Sequence, residues 1–166
     1  MNFLTSVLLL CVSGLAKAFW RIWLFWRRFA SPLTLGVRAL VIDAQGQVLL
    51  VRQSYYPGWH LPGGGVGRRE SAAEAAKREL QEETGLSSAH FGRLFGFYAR
   101  FYQGARDHVV VYVFNAESLS GDIVIDQFEV VEARFFPLDR LPSDINPGAR
   151  RRIAEFLGHA PLCDKW

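Results

Sequence analysis

The chain has 166 residues, about half of them apolar, a formal charge of +3 and a pI near 9.1. That length holds one domain with a proper core plus a short appendage and excludes a second full domain. The mild basicity suits a polyanionic small molecule and falls short of a dedicated nucleic-acid binder, so no specific nucleic-acid partner is expected. Cys11 and Cys163 stand far apart, with no CxxC or Cys/His cluster to bind zinc. Both read as free thiols of a reducing compartment, the cytoplasm.

Residues 3 to 26 contain 18 apolar side chains, Trp20, Trp23 and Trp26 among them. No Lys or Arg precedes Lys17, which argues against a secretory signal. The uncharged run also stops short of the roughly 20 residues that a spanning helix needs. Ser6, Ser13, Lys17, Arg21 and Arg28 are spaced to form one stripe of an α-helix whose remaining surface is apolar. Three placements stay open for this helix over residues 3–28: at a membrane surface, on the cytoplasmic face, with its cations at the headgroups; against its own domain or a second copy in a homodimer; or across a bilayer. Ser31 and Pro32 mark a boundary. The expected organisation is an apolar helix over 1–31, a domain over 32–160 and a tail over 161–166.

Thr34 to Asp43 and Val48 to Val51 are Val/Leu/Ile-rich runs around the turn Ala44 to Gln47, which predicts a β-hairpin. An aromatic loop and the run Pro62 to Gly65 follow. Ser71 to Thr84 is rich in helix formers, with a possible capping box in Ser71 and Glu74 and a C-terminal glycine in Gly85. Phe91 to Tyr102, Val109 to Phe114 and Phe128 to Phe136 read as strands, and Ala149 to Leu157 as a final helix. Arg150, Arg151 and Arg152 near its start are expected on a solvated face. The pattern is α+β rather than a regular βαβ alternation.

On the predicted central helix, Glu79, Glu82 and Glu83 fall at i, i+3 and i+4 and share one face. Carboxylates this close repel unless a cation lies between them, and hard oxygen ligands favour Mg²⁺, with Mn²⁺ as the alternative. Taken alone, such a segment is as readily a solvated Glu-rich surface.

Its setting resembles the Nudix box, Gly-x5-Glu-x7-Arg-Glu-U-x-Glu-Glu-x-Gly-U, where U is a bulky aliphatic residue. Gly64, Glu70, Arg78, Glu79, Leu80, Glu82, Glu83, Gly85 and Leu86 occupy the fixed positions without insertion or deletion. Gly36 to Gln53, Trp59 to Gly64 and Phe128 to Pro142 are also similar to the family's flanking segments. The resemblance covers Thr34 to Leu157. It implies a Nudix fold, a mixed β-sheet sandwiched by helices, and Mg²⁺-dependent hydrolysis of a pyrophosphate bond in a nucleoside diphosphate linked to another group. It implies Glu79, Glu82, Glu83 and the Gly63 carbonyl as metal ligands and Glu129 as a late glutamate that in some members contacts metal or acts as base. Gly64, Glu70 and Arg78 would support them. Arg52, Tyr55, Trp59 and Tyr102 are the candidate substrate contacts. Tyr102 resembles in placement a tyrosine of dinucleoside polyphosphate hydrolases, although it and the aromatics of the loop serve equally as strand or core residues. Two other functions stay open: a nucleotide sensor without turnover, and a membrane-associated hydrolase of lipid-linked diphosphates.

Overall fold

The computed structural model describes residues 34–102, 105–125 and 129–166. The helix expected over 3–28 and the residue Phe128 lie outside that set. Thr34–Ile42 (β1) and Gln47–Gln53 (β2) flank a turn in which the Asp43 carboxylate accepts the Gln45 and Gln47 N–H groups. The expected hairpin exists only there. Ile42 pairs with Val48, after which the two strands part. β1 runs parallel to Ala105–Asn115 (β6) along its whole length, and β2 runs antiparallel to Val130–Pro137 (β8).

The fork between β1 and β2 is filled by the chain that follows. Trp59–His60 (β3) pairs with Val51 and Arg52 of β2. The next residues run along β1: Ala39 N–H donates to the Pro62 carbonyl at 2.8 Å, Val37 N–H to Gly64 at 2.9 Å, and Val66 N–H to Leu35 at 2.8 Å. Backbone groups that a regular hairpin would pair with β2 are satisfied by the glycine loop instead. Arg93–Tyr102 (β5) completes the sheet against β6, giving the order β3-β2-β1-β6-β5 with β8 on the far side of β2. Ser87–Ser88 (β4) and Leu119–Ser120 (β7) form a separate small pair.

One helix covers each face of the sheet. Ala72–Thr84 (α1) carries both predicted caps: Ser71 and Glu74 form the capping box, and Gly85 adopts φ 77° and closes on the Gln81 carbonyl. Its buried residues, Ala75, Ala76 and Leu80, pack with Val37, Ala39, Val41 and Leu49. The two alanines allow a close approach to the sheet. Pro147–Phe156 (α2) starts two residues earlier than expected, with Pro147 in its first turn and the Asn146 side chain accepting the Gly148 and Ala149 N–H groups. It covers the opposite core of Leu40, Leu50, Trp59, Tyr98 and Ile153. Alternation along β1 therefore sends Val37 and Ala39 toward α1 and Arg38 and Leu40 the other way.

Two expectations at the C-terminal end are corrected. Arg152 is fully buried rather than solvated, because it pairs with Glu155 one turn later and receives the chain's last residues over it. Residues 163–166, set apart as a tail, pack against the sheet: Ala99 N–H donates to the Asp164 carbonyl and Trp166 N–H to the Ala99 carbonyl. Among the described residues no helix is long and apolar enough to cross a membrane.

Candidate active site

The glycine loop and α1 meet face to face, and the loop needs glycine for steric reasons. At Gly63 φ is 140°, and a Cβ would stand 2.2 Å from the Val37 carbonyl oxygen, inside the pairing with β1. At Gly64 a Cβ would come 2.5 Å from both carboxylate oxygens of Glu79. Backbone thus lies directly against the acidic face of the helix.

Each carboxylate has defined partners. Glu83, buried, accepts the Gly63 N–H at 2.7 Å and the Gln53 amide at 2.9 Å. Arg78 lies at the centre of the others: it grips Glu70 through Nε at 3.1 Å and Nη2 at 2.8 Å, and through Nη1 holds Glu79 and Glu82, each at 2.8 Å. It also donates to the Gly65 carbonyl at 3.1 Å. The supporting part expected of Arg78 and Glu70 is thereby wider than pairing with one glutamate, since the guanidinium links three carboxylates to the loop. The hydrogen bonds that it donates to Glu70 first of all raise its already high pKa further. Glu70 itself is held below the usual carboxylate range by Arg78 and by the Gly67 N–H.

Burial pushes Glu79 and Glu83 up from the ordinary carboxylate pKa, against the pull of Arg78 on the first and of Gly63 on the second. Glu79 also feels the charge of Glu82, and Glu83 that of Glu79. Packing negative charge in a half-desolvated spot is unfavourable without a cation. Among the described residues no group of three His, Cys, Asp or Glu side chains is arranged as it stands to hold an ion. The donor set nevertheless suits a hard divalent cation: carboxylates raised by burial face a loop whose missing Cβ atoms leave its backbone in direct contact with them.

Beside this face opens a cavity of about 570 Å³, lined among others by Arg38, Tyr55, His60, Gly63, Gly64 and Trp166. Arg38 is its most telling side chain. Burial lowers its pKa, opposed chiefly by the attraction of Glu83 and reinforced by repulsion from Arg100, which also lines the cavity. Its Nη1 is buried without a hydrogen-bond partner, and among the described residues it forms no ion pair. A desolvated guanidinium in that state keeps charged hydrogen-bonding capacity that suits an anion. Sequence reasoning passed over Arg38, although a lone charge within the apolar run of β1 was the available signal.

The other expected substrate contacts divide. Tyr55 lines the cavity, 67% exposed, with its hydroxyl pKa raised by burial of that group and then by the charges of Glu83 and Glu129. Trp59 is corrected: it is 1% exposed, edge-on to Phe136 at 4.6 Å, because β3 turns it into the core beneath α2. Arg52 is likewise drawn away, its guanidinium lying 4.7 Å from the Trp59 ring centre and 3.6 Å from Asp144. Tyr102 closes β5, and its side chain lies outside the described residues. Glu129, exposed, precedes β8 and gives its carbonyl to the Ser54 N–H at 2.8 Å.

Comparison with known proteins agrees with this geometry. A family model, the NUDIX domain, matches residues 32–156. A protein of Bacillus subtilis (strain 168), provisionally named an 8-oxo-dGTP diphosphatase, is 34% identical over 127 residues, covering 76% of this chain and 82% of that one. An ADP-ribose pyrophosphatase of Methanocaldococcus jannaschii is 33% identical over 105 residues, covering 61% of each chain. The crystal structure of a MutT NUDIX hydrolase from Burkholderia pseudomallei superposes with a TM-score of 0.66 at 24% identity, over 74% of this chain and 96% of that one. The mixed sheet between two helices and the acidic helix against a glycine loop define a hydrolase of phosphate anhydrides. The chain belongs to the Nudix family, and its activity is that of a pyrophosphohydrolase on a nucleoside diphosphate joined to another group. Membership implies dependence on Mg²⁺.

Proposed function

We propose that Glu79, Glu82, Glu83 and the Gly63 carbonyl hold the divalent ion and that Arg38 receives the substrate's diphosphate. The observation that carries this reading is the buried, unpaired Nη1 of Arg38 in the cavity that borders Gly63 and Gly64. A bound divalent ion supplies charge neutralisation and a water acidic enough to attack at neutral pH. The chain's own residues do the rest. Arg38 orients the phosphate oxygens, Arg78 fixes the rotamers of Glu79 and Glu82, and a carboxylate of the site accepts the attacking water's proton. The P–O–P bridge breaks, leaving a nucleoside monophosphate and the phosphorylated second group.

The substrates range over dinucleoside polyphosphates, nucleotide sugars and similar diphosphates; the names of the relatives, an 8-oxo-dGTP diphosphatase and an ADP-ribose pyrophosphatase, fall within that class. A screen of such compounds with Mg²⁺, both products identified by mass, tests the reading. Monophosphate release from diphosphates alone is the expected result, and comparable phosphate release from monoesters would overturn it.

We set the domain over residues 32–160, a reading that the family match over residues 32–156 supports. We read residues 3–28 as a helix for a membrane surface on their stripe of cations and their tryptophans, with packing on the domain or on a second copy as the other placement, and take the cytoplasm as the compartment from the free thiols.

A further inference from the structure

Residues 163–166 lie beyond the stretch that matches the family, yet they are built into the site. Asp164, Lys165 and Trp166 run beside β5: Ala99 N–H donates to the Asp164 carbonyl at 2.7 Å, and Trp166 N–H donates to the Ala99 carbonyl at 2.9 Å. Arg152 holds them from beneath. Its Nη1 donates to the Lys165 carbonyl at 2.8 Å, and its Nη2 to Glu155 at 2.7 Å and to Cys163 Sγ at 3.2 Å. Glu155 in turn accepts the Cys163 N–H at 3.2 Å and the Tyr98 hydroxyl at 3.1 Å, and the guanidinium lies 3.9 Å from the Tyr98 ring centre.

A buried ion pair adds little to stability over apolar residues of the same volume, so its use has to be sought in what it positions. Here it positions Trp166. The indole rests on the first turn of α2 at Gly148, where a Cβ would come within 2.3 Å of Nε1, and meets Tyr98 edge-on at 6.1 Å. From that seat it lines the cavity. Arg38 and the glycine loop make one part of the lining charged and polar; Trp166, Phe101 and Tyr55 make another part aromatic. A nucleoside diphosphate has the same division, with phosphates at one end and a flat base at the other.

We propose that Trp166, clamped by the Arg152–Glu155 pair, is the wall of the cavity against which the substrate's base packs, and that it is a specificity-determining residue for nucleobase-bearing diphosphates. The assignment rests on the hydrolase reading above. The test compares ADP-ribose with 5-phosphoribosyl 1-pyrophosphate, a diphosphate without a base, in the wild type, Trp166→Ala and Trp166→Phe. The alanine variant raises KM for ADP-ribose about tenfold, the scale of a lost base–aromatic stack. It leaves kcat within about twofold and the base-free compound unaffected, as loss of uniform binding requires. Phenylalanine restores most of the KM. An equal rise for both compounds, or no rise for ADP-ribose, overturns the proposal. If the wild type leaves the base-free compound uncleaved, the base contact is decided by titration with AMP; if it cleaves neither compound, the hydrolase reading has failed for this class and the same titration decides the contact. Tryptophan fluorescence is quenched more in the wild type than in Trp166→Phe if the base packs there, and equal quenching in both proteins refutes the contact.

Discussion

The Glu83 carboxylate accepts the backbone N–H of Gly63 at 2.7 Å, joining the last turn of α1 to the loop that lies along β1. This side chain ties the helix to the loop, as Arg78 does at Gly65, and backbone hydrogen bonds hold the loop to the strand. Any displacement of the helix end moves the loop carbonyls and the acidic face together.

Replacing Glu82 or Glu83 by Gln keeps size and helix propensity while removing the charge proposed to retain Mg²⁺. Turnover in each variant falls by at least about a hundredfold, the scale of losing a charge-stabilising catalytic group. Far-ultraviolet circular dichroism stays unchanged. Glu74→Gln is the control for activity. Because Glu74 accepts the Ser71 N–H at 2.7 Å in the capping box, that variant loses a little thermal stability while keeping its rate. Near-normal rates for both Glu82→Gln and Glu83→Gln would remove the metal assignment.

Arg38→Gln lowers kcat/KM by roughly a hundredfold, in line with losing a charged hydrogen-bond partner of the substrate, with most of the change in KM. The unfolding free energy does not drop, since a desolvated cation without an ion pair has been removed. Unchanged KM together with a large loss of stability would make Arg38 a structural residue instead.

Arg152→Ala strands Glu155 in the core and costs about 3–5 kcal/mol in urea unfolding. The double replacement Arg152→Met with Glu155→Leu recovers most of it, because neither charge is then left alone. A double variant as unstable as the single one would contradict this account of the pair.

The pKa of His60 is held below its ordinary value of 6.5 by burial first, then by repulsion from Arg38, although the hydrogen bond between its Nε2 and the Pro57 carbonyl works the other way. The unfolded chain therefore binds the proton at a higher pH than the folded one. Stability contributed by the neutral ring is fully present above pH 6.5 and declines as pH falls through the lowered folded value. Melting temperatures recorded from pH 7.5 down to 5 show this decline in the wild type and a shallower one in His60→Gln. Parallel curves would rule the residue out as its source.

Removing residues 1–30 leaves hydrolysis intact and abolishes sedimentation with anionic vesicles, if the apolar surface beside the cationic stripe serves a membrane. Vesicle binding that survives the truncation would exclude that role, and a change of subunit number would assign the segment to packing between copies.

What the sequence made legible was local. Capping by Ser71, Glu74 and Gly85 depends on residues three or four apart, and the acidic face of α1 on helical periodicity alone. The fork between β1 and β2 was not legible, because the partners of β1 come from the glycine loop and from a strand some seventy residues away. Trp59 could equally stack on a base or cover the core edge by sequence, and two residues of β3 suffice to turn it inward. The spacing of Arg152 and Glu155 was visible as an i, i+3 pair, but its burial depends on the return of Lys165 over it.

The parallel register of β1 with β6, which brings Thr34 opposite Asp107, has a kinetic side. Helix α1 and its caps can form within a short stretch of chain, whereas the strand carrying Arg38 acquires its sheet neighbour only after a loop spanning most of the domain has closed. The acidic face of α1 can therefore form early in folding, before the strand that carries Arg38 is seated in the sheet. A folding intermediate of this kind would present acidic residues to divalent ions before it could engage a nucleotide, and nucleotide binding would report on completion of the β1–β6 seam.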